Sequence, residues 1–228
     1  MLTRRFFVGA GSLAALSGLA ACSSTNTARL DASPVASSYT VMPAFYGPMP
    51  GERFPIPAVP EGVVPADYWR RRVPDPTGET PGTIVVDPSN YYLYLVEGGG
   101  TAMRYGVGVG REGFGWSGDA IIKVKKEWPV WVPPKEMIAR DPALEPYSLE
   151  NGGHPPGLGN PLGARALYLF DGGRDTFYRI HGTNEPRSIG NSVSSGCIRL
   201  LNQDIIDLYN RVPTGTRVVV LPAGRGMV

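Results

Sequence analysis

From Pro81 onward the chain is cut into short extended runs by glycine- and proline-bearing turns, and this punctuation limits the possible folds more than any other feature. In "TIVVDPSNYYLYLVEGGGTAMRYGVGVG", Tyr92, Tyr94 and Val96 alternate with Leu93 and Leu95, while Asp87-Pro88-Ser89-Asn90 and Gly98-Gly99-Gly100 supply the reversals. Consecutive hairpins follow. Further strands are predicted at 120–127, 165–170, 176–181 and 216–221, where β-branched and aromatic residues concentrate. One stretch, "NQDIIDLYNR" at 202–211, reads as a helix: Asn202 is placed to cap it, Asp204 lies in its first turn, and Ile205, Leu208 and Tyr209 share a face. The expected fold is mostly β, sandwich- or barrel-like, with one or two short helices.

The 228 residues, 42% of them hydrophobic, suffice for one domain of ordinary size with appendages. Twenty-two basic residues against 20 acidic ones leave a formal charge of +2, too near balance to recruit nucleic acid. The glycines of "GVGVG" at 106–110 lie along a strand rather than between strand and helix, which excludes a dinucleotide-binding turn and assigns them to twist or close packing.

The first 22 residues read as an export signal. Arg4 and Arg5 precede a short run rich in alanine and glycine, and "LAAC" followed by "SSTNT" resembles a bacterial lipoprotein signal cleaved before Cys22, which would then carry lipid. A plain secretory peptide is the alternative, and the arginine pair fits either the general or the twin-arginine route. Residues 23–80, polar and then proline-rich, are expected to form an extended tether that holds the domain off a membrane. Within it, Tyr68 and Trp69 of "ADYWRRRVPDP" are candidates to pack onto the domain. Residues 81–222 form the domain and 223–228 a tail.

With Cys22 assigned to lipid, Cys197 is a lone thiol in an exported protein. In "SVSSGCIRL" it follows Ser194, Ser195 and Gly196, a polar turn, whereas Ile198 and Leu200 point to the core; this arrangement exposes the thiol. Most of such a thiol is protonated at neutral pH, so chemistry requires a base. His181, at the end of the strand "FYRIH", is the candidate; the other histidine, His154, sits in the proline–glycine loop "NGGHPPGLGN", a possible lid. Two histidines and one free cysteine are too few for a zinc site, no Gly-x-Ser-x-Gly elbow is present, and no metal or cofactor is expected. Asp119, Glu127, Asp141, Glu145, Asp171 and Asp175 are read as solvated surface charges.

"IHGT", a loop, and then "SSGCIRLLNQDI", together with "GNPLGARALYL" and "VPTGTRVVVL", resemble the signature of the YkuD-type L,D-transpeptidases of the ErfK/YbiS kind over roughly residues 81–222. The resemblance implies Cys197 as nucleophile, His181 as base and the Gly182 carbonyl as the group that orients the imidazole. It implies an oxyanion hole from the N–H groups of Cys197 and of Gly196 or Ser195. Arg199 either holds the loop or binds a substrate carboxylate, and Asn160 and Arg111 are substrate-side candidates. The implied partners are peptidoglycan stem peptides, with an outer-membrane protein as one possible acyl acceptor and a membrane reached through the lipid anchor; the implied location is the Gram-negative periplasm. Carbapenems would acylate the cysteine and most penicillins would not. One departure stands out: many members carry histidine immediately before the Gly-Cys pair, where this chain has Ser195, so any part of that residue in donor selection is lost while the base remains.

Overall fold

The computed structural model describes residues 41–111, 116–194 and 196–224. Eleven strands are assigned among these: β1 (Arg71–Pro74), β2 (Ile84–Asp87), β3 (Tyr92–Val96), β4 (Thr101–Gly106), β5 (Val109–Gly110), β6 (Gly118–Glu127), β7 (Arg165–Asp171), β8 (Arg174–His181), β9 (Ser192–Ser194), β10 (Ile198–Arg199) and β11 (Arg217–Val220). Helix α1 spans Lys135–Arg140 and α2 Asn202–Arg211, with four short 3-10 turns between elements. Nine strands form one sheet in the order β1-β4-β3-β2-β11-β6-β7-β8-β10, and β5 pairs with β9 beside it. The expected mostly β architecture is what the chain adopts.

Neighbouring strands in the large sheet run antiparallel except at two places, β2 with β11 and β8 with β10. Ile84, Leu93, Tyr105, Ile122, Leu167, Leu169, Ile180 and Val218 fill the main core, and α2 lays Ile205 and Leu208 onto it. The predicted helix is found at 202–211, but its cap differs. Leu201 is the N-cap with no side-chain bond, because the Asn202 oxygen instead accepts the Ala164 N–H at 2.9 Å and its amide donates to the Thr183 carbonyl at 3.0 Å. At the other end Lys125 donates to the carbonyls of Tyr209 and Val212 at 2.7 and 2.6 Å, a cation satisfying the terminal acceptors.

The expected tether requires correction from Val41 on. Residues 41–80 are docked: Tyr46, Val59, Val64 and Trp69 form a buried cluster with Ile189 and Leu201, Ile56 packs with Trp128 and Ile206, and β1 pairs with β4. The prolines do enforce extended backbone, but the apolar residues between most of them give that backbone a face to bury. Each large side chain so buried contributes about 1.5–3 kcal/mol. Glu52 secures the segment further, accepting from both terminal nitrogens of Arg165 at 2.9 and 2.8 Å and from Trp128 Nε1 at 3.0 Å. Residues 1–40, with Cys22 and the expected signal, lie outside the described residues, as does the end of the 223–228 tail. Among the described residues no helix is long and apolar enough to cross a membrane.

Candidate active site

The parallel pairing of β8 with β10 builds the site. Ile180 lies opposite Ile198 and His181 opposite Arg199. Strand alternation sends Ile180 and Ile198 into the core and His181 and Arg199 to the other face, and the same register continued one step back leads Arg179 toward Cys197. Strand spacing and rise put the Cα atoms of His181 and Cys197 about 8 Å apart, diagonally across this square.

His181 is 4% exposed and its Nδ1 lies 2.5 Å from the carbonyl oxygen of Gly182. A carbonyl only accepts, so Nδ1 carries the proton and Nε2 presents a lone pair. Burial pushes the imidazole down to about 4, against the carbonyl contact that favours its charged form, and the nearby charges of Arg199 and Arg179 push the same way as burial. His181 is therefore a neutral base at neutral pH. Gly182 must be glycine: a Cβ there would meet Asn202 Oδ1 at 2.3 Å and the Ala164 nitrogen at 3.0 Å, displacing the carbonyl that holds the ring.

Cys197 is half-buried rather than exposed, and is a free thiol. Burial raises its pKa, opposed by a hydrogen bond from the Arg179 main-chain N–H and by the charges of Arg179 and Arg199. The resting pair is thus thiol and neutral imidazole. The turn before it is tight: Ser194 Oγ donates to the Cys197 carbonyl at 2.7 Å and accepts the Gly196 N–H at 3.2 Å. Gly196 at φ +126° lies against Gly110, whose Cβ would come 2.7 Å from Gly196 Cα, so the glycines of 106–110 serve close packing as expected. Because Ser194 takes the Gly196 N–H, Gly196 is not a free oxyanion donor at rest; Ser195 lies outside the described residues.

The remaining candidates separate. Arg199 Nη1 is bound to Glu185 Oε2 at 2.8 Å and its main chain bonds Gly108 in both directions, the loop-holding role rather than an open carboxylate site. Asn160 is fully buried, its amide donating to the carbonyls of Pro129, His154 and Pro155 and its oxygen accepting from Leu162 N–H. Expected on the substrate side, it instead ties together the loop that carries His154. Arg111 is exposed, its N–H bonded to the Ser194 carbonyl, and it lines a cavity of about 400 Å³ with Tyr91, Gly110, Trp116, Ser192 and Gly196. His154 bonds the Pro155 carbonyl through Nδ1 and lies against Tyr147, away from the square.

Sequence reasoning missed Arg179 and Asp175. Nothing in "RDTFYRIH" marks an arginine two residues before the histidine as a neighbour of the thiol; only the parallel register does so. The described residues thus define a mostly β domain with one thiol and one neutral imidazole on chain segments that lie side by side, the equipment of a thiol nucleophile with its base.

Comparison with known proteins agrees with that class. The YkuD L,D-transpeptidase catalytic domain family matches residues 81–220. The chain belongs to this family. It is 38% identical over 141 residues to the probable L,D-transpeptidase YbiS of Escherichia coli (strain K12), covering 59% of this chain and 43% of that protein. It is 41% identical over 98 residues to the putative L,D-transpeptidase YkuD of Bacillus subtilis (strain 168), covering 43% and 54%. The chain spans about half the length of these relatives or less. A solved structure from Brucella melitensis, described as a probable carnitine operon oxidoreductase, is 51% identical and covers 69% of this chain and 96% of that one, with a TM-score of 0.48. That description belongs to the other protein, and a superposition at this score carries no argument about activity.

Proposed function

We propose that the chain is a peptidoglycan L,D-transpeptidase acting outside the cytoplasm, with Cys197 as nucleophile and His181 as base. The observation that supports this reading is the Nδ1–H contact of His181 with the Gly182 carbonyl, which leaves Nε2 as the basic nitrogen on the strand that pairs with the one following Cys197. Sγ attacks the carbonyl of meso-diaminopimelate, third in a tetrapeptide stem, as its proton passes to Nε2. Beside two arginines the imidazolium is a strong acid, so it returns that proton to the departing amine of D-alanine. A thioester on Cys197 remains. An amine acceptor resolves it: the side-chain amine of a second stem gives a 3→3 crosslink, and a lysine of an outer-membrane protein gives anchoring. The Cys197 N–H, with Ser195, forms the oxyanion hole, and Arg111 contacts substrate from the cavity beside Gly196. An N-terminal signal and lipid on Cys22 would place the domain in the periplasm on a membrane tether formed by residues 23–40.

The test is product analysis. The full chain incubated with disaccharide-tetrapeptides should release D-alanine and form a stem-to-stem product, both absent with Cys197→Ala. Release without a crosslink would make water the acceptor, as in an L,D-carboxypeptidase; binding of peptidoglycan with no release would make the chain a wall-binding module.

A further inference from the structure

Four titratable or charged groups act on the Cys197 thiol, Tyr168 from β7, Tyr178 and Arg179 from β8 and Arg199 from β10, and His181 of β8 lies opposite Arg199. Among them Arg179 is held most tightly. Its terminal nitrogens grip Asp175 bidentately at 2.6 and 2.8 Å, Nη1 also donates to the Tyr178 carbonyl at 2.9 Å, and the guanidinium lies 4.3 Å over the Tyr168 ring. Asp175 is fixed in turn, because its Oδ1 accepts the N–H of Phe177 at 2.8 Å, a residue at φ +62°. A non-glycine residue in that conformation is costly unless its surroundings enforce it. The strained corner therefore holds the carboxylate, and the carboxylate holds the guanidinium on the strand that pairs with the one following Cys197.

We propose that Arg179, clamped by Asp175 and laid over Tyr168, is a positioning residue for Cys197: its guanidinium supplies the positive field in which the thiolate forms. This rests on the reading of Cys197 as the nucleophile. Arg199 on the other strand is drawn toward Glu185, which leaves Arg179 as the nearer of the two cations that act on the thiol. The same charge adds, after burial and Arg199, to what keeps His181 neutral at rest, so one side chain favours both loss of the proton from sulfur and its departure from the imidazole. Asp175 acts one step further out, through the placement of Arg179.

The test compares full-length wild type, Arg179→Met, Arg179→Lys and Asp175→Asn by the pH dependence of Cys197 alkylation with iodoacetamide, followed at the Cys197 peptide by mass spectrometry, and by D-alanine release. Arg179→Met should move the alkylation midpoint up by about one pH unit and slow alkylation at neutral pH about tenfold. Arg179→Lys, which keeps charge and backbone, should recover most of the shift, and Asp175→Asn should fall between. A folded Arg179→Met with the wild-type midpoint would overturn the proposal, as would an Arg179→Lys midpoint matching that of Arg179→Met. If Arg179→Met does not fold, Arg179→Lys and Asp175→Asn decide: midpoints in the predicted order support the field, and a midpoint of Asp175→Asn equal to wild type overturns the clamp. No D-alanine from wild type would bring down the nucleophile reading, and this one with it; release by wild type with unshifted midpoints in the variants brings down this one alone.

Discussion

Tyr68 is the point at which the docked N-terminal segment closes on the catalytic-domain surface, and its coupling to Gly190 can be worked out. Gly190 sits at φ +80°, and a Cβ added there would come 2.4, 2.8 and 2.9 Å from three atoms of the Tyr68 ring. Gly190→Ala thus incurs two penalties: about 1–2 kcal/mol for a left-handed non-glycine residue and about 1–3 kcal/mol for overpacking. The ring has little room to yield, since its other sides meet Tyr91 and Tyr92 at centroid distances of 6.4 and 5.6 Å, and its backbone lies so close to Gly106 that a Cβ there would come 2.4 Å from the Tyr68 Cβ and carbonyl oxygen. A loss of about 2–5 kcal/mol corresponds to a Tm decrease of roughly 5–15 °C for a domain of this size. In a Tyr68→Ala background the overpacking penalty vanishes and the conformational one stays, so the double mutant should be about 1–3 kcal/mol more stable than the sum of the single losses predicts. Thermal unfolding of the four proteins measures this. Additive losses would refute the claim that residues 41–80 are built onto the domain through this contact.

Three further outcomes follow from buried polar groups. Asp204, between Arg70 and Tyr46, titrates near 7 rather than 3.8 because burial outweighs the pull of Arg70, so the folded state holds a proton that the unfolded state has lost between those values and wild-type stability falls as pH rises across them. Asp204→Asn removes that loss, and its stability relative to wild type should rise from pH 4 to pH 7 in denaturant titrations; a difference independent of pH would contradict the assignment. His181 has the opposite sign, with its folded value near 4 below the unfolded 6.5, so its contribution is complete above pH 6.5 and is lost as pH falls toward 4; in Asp204→Asn, where nothing offsets it, acid destabilisation over that window should be steeper than in wild type. Asn160→Ala leaves the Pro129 carbonyl and the Leu162 N–H without their partner and strips one bond each from the His154 and Pro155 carbonyls, which keep the Trp131 N–H and His154 Nδ1, with an expected cost of about 1–3 kcal/mol and faster hydrogen exchange over 150–163; unchanged exchange would show that the loop is held by other contacts.

The strands were legible because their signal is local. The runs predicted at 120–127, 165–170 and 176–181 differ from β6, β7 and β8 by only one or two residues at an end, since alternating β-branched and aromatic residues bounded by glycine require no knowledge of the partner strand. His181 and Cys197 were singled out by residue type and by resemblance, and the pairing of β8 with β10 brings their chain segments side by side. What failed depended on long-range packing. The proline content of 41–80 correctly indicated extended backbone, but whether Tyr46, Ile56 and Trp69 find a surface depends on Ile189, Leu201 and Trp128, far off in sequence. Asn202 has the right residue type for a helix cap, yet the tertiary contact with Ala164 takes its oxygen. Asp175 read as a solvated charge because its partner, Arg179, gains meaning only once β8 lies parallel to β10.

The central claim is that a thioester forms on one sulfur, and intact-mass spectrometry tests it most directly. Mixed with a tetrapeptide stem and quenched in acid within a turnover, the wild-type chain should gain the mass of the tripeptide acyl group, with the modification mapped to Cys197, and Cys197→Ala should gain nothing. His181→Ala should acylate far more slowly while remaining folded. An acyl group on any other residue, or the same adduct on Cys197→Ala, would contradict the account.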